Sequence, residues 1–342
     1  MRHFFFLWFH LVTLVAPPLR ASGGEAEPAA CALLQHGLVL RGPQEQRLQD
    51  AQPISWLHFP KAGSSFINAI VHLPGVCPSM SNLTISKDLL GECWLTKWNL
   101  NFCQKACEFD KFTCPEHPAY EKHPTITDYS AQHGKLMGMF RDPDQRILSG
   151  YHDDANNLAA INYADYLHED LRIQNCTYMG DDVPKVPILD FAESWKGGMA
   201  YQVLTENPST QTLDPKRSKI TLEDAQEAAQ RVRDGFAFVG ITEEWDLSIC
   251  LFHKMFGGAC HAGDFENTRP SSPGKSASMN YDVTELMGWH DHVDAVVYAA
   301  AVQVFEANLD AFDVSHRTCQ ECYLAANRTS GEVTWHGSTL PG

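Results

Sequence analysis

Apolar positions along this chain fall into short blocks that alternate with spaced stripes. The run Ile54 to Phe59 is closed by Pro60 and Gly63 and predicts a buried strand. Lys135 to Phe140 predicts a second strand and Ala237 to Ile241 a third. Helical spacing follows each of them. Phe66 to Val71 can open a helix, and Leu222 to Val232 predicts another, with Thr221 as its cap and Asp224 three residues on. Glu243 to Phe256 predicts a helix stopped by Gly257 and Gly258. His290 to Phe312 predicts a long helix with Val293, Val296, Val297, Ala300, Val304 and Leu309 on one stripe, and with Tyr298 and Phe305 read as core. Strands that alternate with helices point to an α/β fold with a parallel β-sheet flanked by helices. Sites in such sheets lie beyond the carboxyl ends of the strands.

The ends of the chain have a different character. Arg2 is followed by an apolar run from Phe4 to Leu19 and a small-residue exit, Ala21-Ser22-Gly23-Gly24. That order fits a secretory signal. The run is shorter than the ~20 apolar residues of a spanning helix and closes with Pro17-Pro18, which favours cleavage over a retained signal-anchor. Residues 22–52, rich in Ala, Gly, Pro, Gln and Glu, read as a flexible stem, and residues 315–342 as a C-terminal tail.

Cysteine content agrees with the secretory route. There are 11 cysteines, an odd number, so at least one is free or paired between chains. Sequons stand at Asn82, Asn175 and Asn327, while Asn207 is excluded by Pro208. Residues 77–124 form a cysteine-rich insert. Cys103, Cys107 and Cys114, with His117 and His123, have zinc-ligand chemistry, but their irregular spacing in an oxidising lumen favours disulfides, and no metal is expected.

The formal net charge of −16 matters for partners. No dense Lys and Arg cluster offsets it, so nucleic acid is not an expected partner. A long polyanion would need a local basic groove.

Chemistry concentrates after the first two strands. Ala62, Gly63, Ser64 and Ser65 make a small-residue turn between a strand and a helix, with Lys61 at its mouth. Such a turn can aim backbone N–H groups at a phosphate. The kinase-type order, in which lysine follows the glycines, is absent. A second strand-turn-helix runs from Gly138 to His152, with Arg141 at the strand end and Ser149 on the helix.

Together the two stretches resemble the sulfotransferases that use 3′-phosphoadenosine 5′-phosphosulfate (PAPS), in particular the Golgi carbohydrate type, including heparan sulfate 2-O-sulfotransferase-like enzymes. His58, Pro60, Lys61 and Gly63 match the family's first motif, and Ser65 falls at its hydroxyl position. Ala62 and Ser64 depart from it. Arg141, Asp142, Pro143, Arg146, Ser149 and Tyr151 match the second motif, and Phe238-Val-Gly-Ile-Thr-Glu243 is a looser third likeness. The resemblance spans roughly residues 54 to 312 and implies a sulfotransferase domain over 53–314 with a P-loop-nucleotide-hydrolase-like fold. It implies that Lys61, Ala62, Gly63, Ser64 and Ser65 hold the 5′-phosphosulfate, with Lys61 also stabilising the leaving oxygen. Arg141 and Ser149 would hold the 3′-phosphate. The competing structural reading of Arg141 is an ion pair with Asp142 or Asp144. Arg269 and Lys275 lie where the family has a loop that closes over the nucleotide.

A general base must take the acceptor's proton. His117, His123, Asp128 and His133 lie between the two motifs; His123 comes first by position in the family pattern, His133 is carried with it, and His152 is the candidate outside that interval. The implied acceptor is a glycan hydroxyl in the Golgi lumen, with residues 4–19 as a possible membrane anchor, since Golgi members are commonly anchored. A tyrosyl or small-metabolite acceptor, or a secreted binding protein that has lost catalysis on the same fold, are the alternatives.

Overall fold

The computed structural model describes residues 42–76, 123, 125–126, 128–153, 159, 173–174, 177–178, 184–204, 220–267 and 281–328. Residues 4–19, most of the cysteine-rich insert, Asn82, Asn175, His117, Arg269 and Lys275 lie outside them.

In chain order the elements are α1 (Pro43–Asp50), β1 (Ser55–Trp56), α2 (Ile67–Val71), α3 (Tyr129–Gln132), β2 (Leu136–Phe140), α4 (Pro143–Tyr151), β3 (Ile173–Gln174), β4 (Thr177–Tyr178), α5 (Ile188–Trp195), α6 (Gly198–Leu204), α7 (Leu222–Gly235), β5 (Phe236–Ile241), α8 (Trp245–Phe256), α9 (Asp294–Ala311) and α10 (Gln320–Ala325). β2 pairs in parallel with β1 on one side and β5 on the other, and β3 and β4 form a separate antiparallel pair. The chain is therefore α/β with a small parallel sheet and flanking helices, as its apolar pattern predicts.

β1 is shorter than the apolar run that announces it. The Leu57 N–H still reaches the Met137 carbonyl at 2.9 Å, but Pro60 has no N–H to continue a ladder and the chain turns. The α7 boundary follows its cap: Thr221 and Asp224 bond each other's backbone N–H reciprocally. The long C-terminal helix starts at Asp294 rather than His290, because the carboxylate of Asp291 takes the N–H groups of Val293 and Asp294 and so ends the irregular lead-in.

β1 and β2 are fully buried, and β5 is buried from Phe238 onward. Phe66, Phe238 and Phe252 meet with ring centroids 4.9–5.3 Å apart, which clamps the residue just ahead of α2 against β5 and α8. A smaller cluster of Ile147, Leu148, Phe191, Trp195 and Leu286 seats α4 on α5.

Two segments depart from the expected organisation. Residues 43–50, placed in the flexible stem by composition, form α1: Leu48 is buried, Gln44 Nε2 donates to the Lys254 carbonyl at 2.9 Å, and the Arg47 guanidinium lies over the Phe312 ring. The segment after 315, read as a tail, carries α10. Cys250–Cys319 and Cys260–Cys322 tie it to α8 and the turn beyond. Leu48 is the one buried residue of the first segment and two disulfides fix the second, so contacts made far along the chain hold both. Among the described residues, no helix is long and apolar enough to cross a membrane.

Candidate functional site

The carboxyl ends of β1, β2 and β5 converge on one place. After β1 the chain makes a tight turn in which the Ala62 N–H bonds the Phe59 carbonyl at 3.2 Å. Pro60 occupies the second position of this turn and Lys61 the third, with φ 66°. Lysine in the left-handed region costs about 1 kcal/mol, so the surroundings must hold it there. Gly63 also has positive φ, and a Cβ on it would come within 2.8 Å of the Trp245 ring, so only glycine fits. A short 3₁₀ turn, Ser64–Phe66, leads into α2.

The Lys61 ammonium meets the Asp153 carboxylate at 2.6 Å, with side-chain exposures of only 15 and 8%. Arg141 begins the turn after β2. Its Nη1 donates to the Lys61 carbonyl at 3.1 Å, so the second motif braces the strained residue of the first. Burial pulls the Arg141 guanidinium below its ordinary pKa, with Glu243, Tyr281 and Asp142 opposing. Glu243, just after β5, completes the convergence. It accepts the Asp142 N–H at 3.0 Å and the Tyr298 hydroxyl at 3.2 Å, and lies 4.0 Å from Arg141 Nε. Burial raises the Glu243 pKa, and Arg141 is the main opposing influence. The carboxylate facing Arg141 is therefore that of Glu243. Asp144 instead takes His290 and the Asp291 N–H.

Ser149 is buried on α4, the helix that leaves Arg141. Arg146, the second arginine of that motif, has a structural task. It is fully buried, bonds Asp294 at 2.9 Å and the Trp195 carbonyl at 3.0 Å, and so ties α4 to the start of α9. Tyr281 is held at both its N–H and its carbonyl by the Gln145 side chain. Its ring faces Arg141 and stacks on His152.

The two candidate bases separate. His123 is buried beside the loop: its ring lies 4.6 Å from that of His58, whose Nε2 is 3.0 Å from Ser64 Oγ. His133 is exposed ahead of the amino end of β2. The strand between it and Arg141 rises ~3.3 Å per residue, which puts His133 at the wrong end of the sheet for this site. Asp153 and Glu243 join the site only through the fold. Glu243 closes the third motif, which was a usable signal; Asp153 had none, since its role depends on where α4 ends.

A polar cluster supports the loop from behind. The buried Asp264 carboxylate takes His72 at 2.9 Å, His253 at 3.1 Å and the His261 N–H at 2.7 Å. The Asp264 carbonyl accepts from Trp245 Nε1, the ring that confines Gly63. Burial alone would raise the Asp264 pKa, but the His253 and His72 hydrogen bonds overturn it and hold the group at about 2. Its folded pKa lies below the ordinary 3.8, so its contribution is complete above about pH 4 and lost as pH falls through 2. Asp264→Asn is therefore expected to remove about 2 kcal/mol at pH 7 and to flatten stability between pH 4 and 2. Urea unfolding across that range measures it, and parallel pH curves for both proteins would contradict it.

Among the described residues, no group of three or more His, Cys, Asp or Glu side chains is arranged to hold a metal. No protein-family model matches this chain, and no curated protein or solved structure matches it.

Proposed function

We propose that the chain is a PAPS-dependent sulfotransferase that moves a sulfuryl group to a glycan hydroxyl in the secretory pathway, on a P-loop-nucleotide-hydrolase-like fold. One observation carries this reading: the Lys61 loop and Arg141, from separate motifs, meet at the carboxyl ends of parallel strands and brace each other through the Lys61 carbonyl. The residues present suit an anionic donor. Gly63, at positive φ and packed against the Trp245 ring, fixes the path of the loop, and two guarded cations supply charge.

The donor would supply the activated sulfuryl group. Lys61 would neutralise charge at the leaving 5′-phosphate, with the backbone of Gly63 and Ser64 and the Ser65 hydroxyl holding it; the Ala62 N–H is already taken by the Phe59 carbonyl. Arg141 and Ser149 would take the 3′-phosphate. Tyr281 would help keep the Arg141 fork in place. His123 remains the candidate for the acceptor's proton.

Calorimetric titration tests the donor site. 3′,5′-Adenosine bisphosphate should bind, and ATP, which lacks a 3′-phosphate, should bind far more weakly. Arg141→Ala should erase that preference. A preference that survives Arg141→Ala would contradict the assignment of the 3′-phosphate.

A further inference from the structure

Lys61 is already engaged by an anion supplied by the chain itself. Asp153 reaches the ammonium at 2.6 Å with both groups largely shielded from water, where an ion pair is worth more than on the surface. The carboxylate arrives from the C-terminal end of α4, and the Asp153 N–H closes that end on the Gly150 carbonyl. α4 itself is anchored by the buried Arg146–Asp294 pair. A second anion brought to the Lys61 ammonium meets like charge unless Asp153 gives way.

We infer that Asp153 is the residue that sets donor affinity: the donor's 5′ anionic group displaces its carboxylate from Lys61, so binding at the loop is an exchange of one anion for another. This rests on the donor-site reading above. Asp153 lies just past the end of α4, so the exchange requires its side chain to turn away from Lys61 while His152, on Glu285 and Tyr281, and the Arg141 end of the helix stay in place. Because the competing anion belongs to the chain, donor affinity at Lys61 is a difference between two ion pairs rather than the strength of one.

The test is calorimetric titration of 3′,5′-adenosine bisphosphate into wild type, Asp153→Asn and Asp128→Asn. Asp128, a base candidate by sequence position, caps α3 ahead of the amino end of β2, at the opposite end of that strand from Arg141, and is exposed, so its replacement changes the net charge equally while leaving the site alone. Asp153→Asn should bind about ten- to a hundredfold more tightly than wild type, the scale of a hydrogen bond to a charged group. Asp128→Asn should bind as wild type does. Asp153→Ser makes the same test if asparagine perturbs folding. Wild-type binding with equal or weaker binding by both Asp153 variants would overturn the exchange and make Asp153 a positioning residue for Lys61. Equal tightening in Asp128→Asn would also overturn it, as a general charge effect. Absence of binding in wild type and variants alike would remove the donor-site reading itself, and the exchange with it.

Discussion

On the proposed sulfotransferase reading, Lys61→Ala is expected to lower sulfuryl transfer about 10³-fold, with the fold retained. A cation aimed at charge that develops in the transition state contributes on that scale. The structural cost is smaller and comes from the side chain alone. Asp153 loses a partner in a shielded setting, which costs about 1–3 kcal/mol. The backbone at φ 66° remains unfavourable for alanine as it was for lysine. Lys61→Gly separates these terms. It should be equally inactive but more stable than Lys61→Ala by about 1 kcal/mol, because glycine adopts the left-handed region freely. Radiolabelled transfer from PAPS together with urea unfolding of the three proteins measures both. Retained transfer in a folded Lys61→Ala protein would remove the proposed role of the lysine.

The largest effect on stability is expected from the cross-link between α8 and the segment leading into α10. Cys250 and Cys319 are 69 residues apart in sequence and both fully buried. With Cys260–Cys322 still closed, the added loop is about 15 residues, which restrains the unfolded chain by about 3 kcal/mol in the chain-entropy account. Replacing the pair by alanine should therefore cost about 2–4 kcal/mol in urea unfolding, a large part of the stability of an ordinary domain. The effect should be felt at the site, since α8 carries Trp245 beneath Gly63 and its His253 bonds Asp264. A change under about 1 kcal/mol would mean that α10 is held by packing, with Tyr323 as its buried anchor.

Much of this architecture was legible because it is written in local patterns. Strand period, turn glycines and the Thr221 cap act over a few residues, and the three core strands and α7 appear close to where those signals put them. The site was partly legible for the same reason. Lys61 and Arg141 each stand at the junction of an apolar run and a turn, and parallel pairing of adjacent strands brings such junctions together. His133 illustrates the limit of position in sequence. It is only eight residues before Arg141, yet those residues are mostly a strand, and a strand carries its two ends apart.

By itself, then, the sequence determined the α/β class, the parallel strands and the loop that holds Lys61, since each follows from side-chain periodicity and from the conformations open to glycine and proline. Tertiary structure alone decided which groups face those cations. Asp153 is 92 residues from Lys61 and Glu243 102 from Arg141, and no local pattern encodes a pairing across that distance. It also decided that Arg146 is buried against Asp294 and is not part of the site, and that Cys319 and Cys322 close on Cys250 and Cys260. Ion pairs and disulfides depend on where whole helices are packed, and that packing is set by burial summed over the entire core.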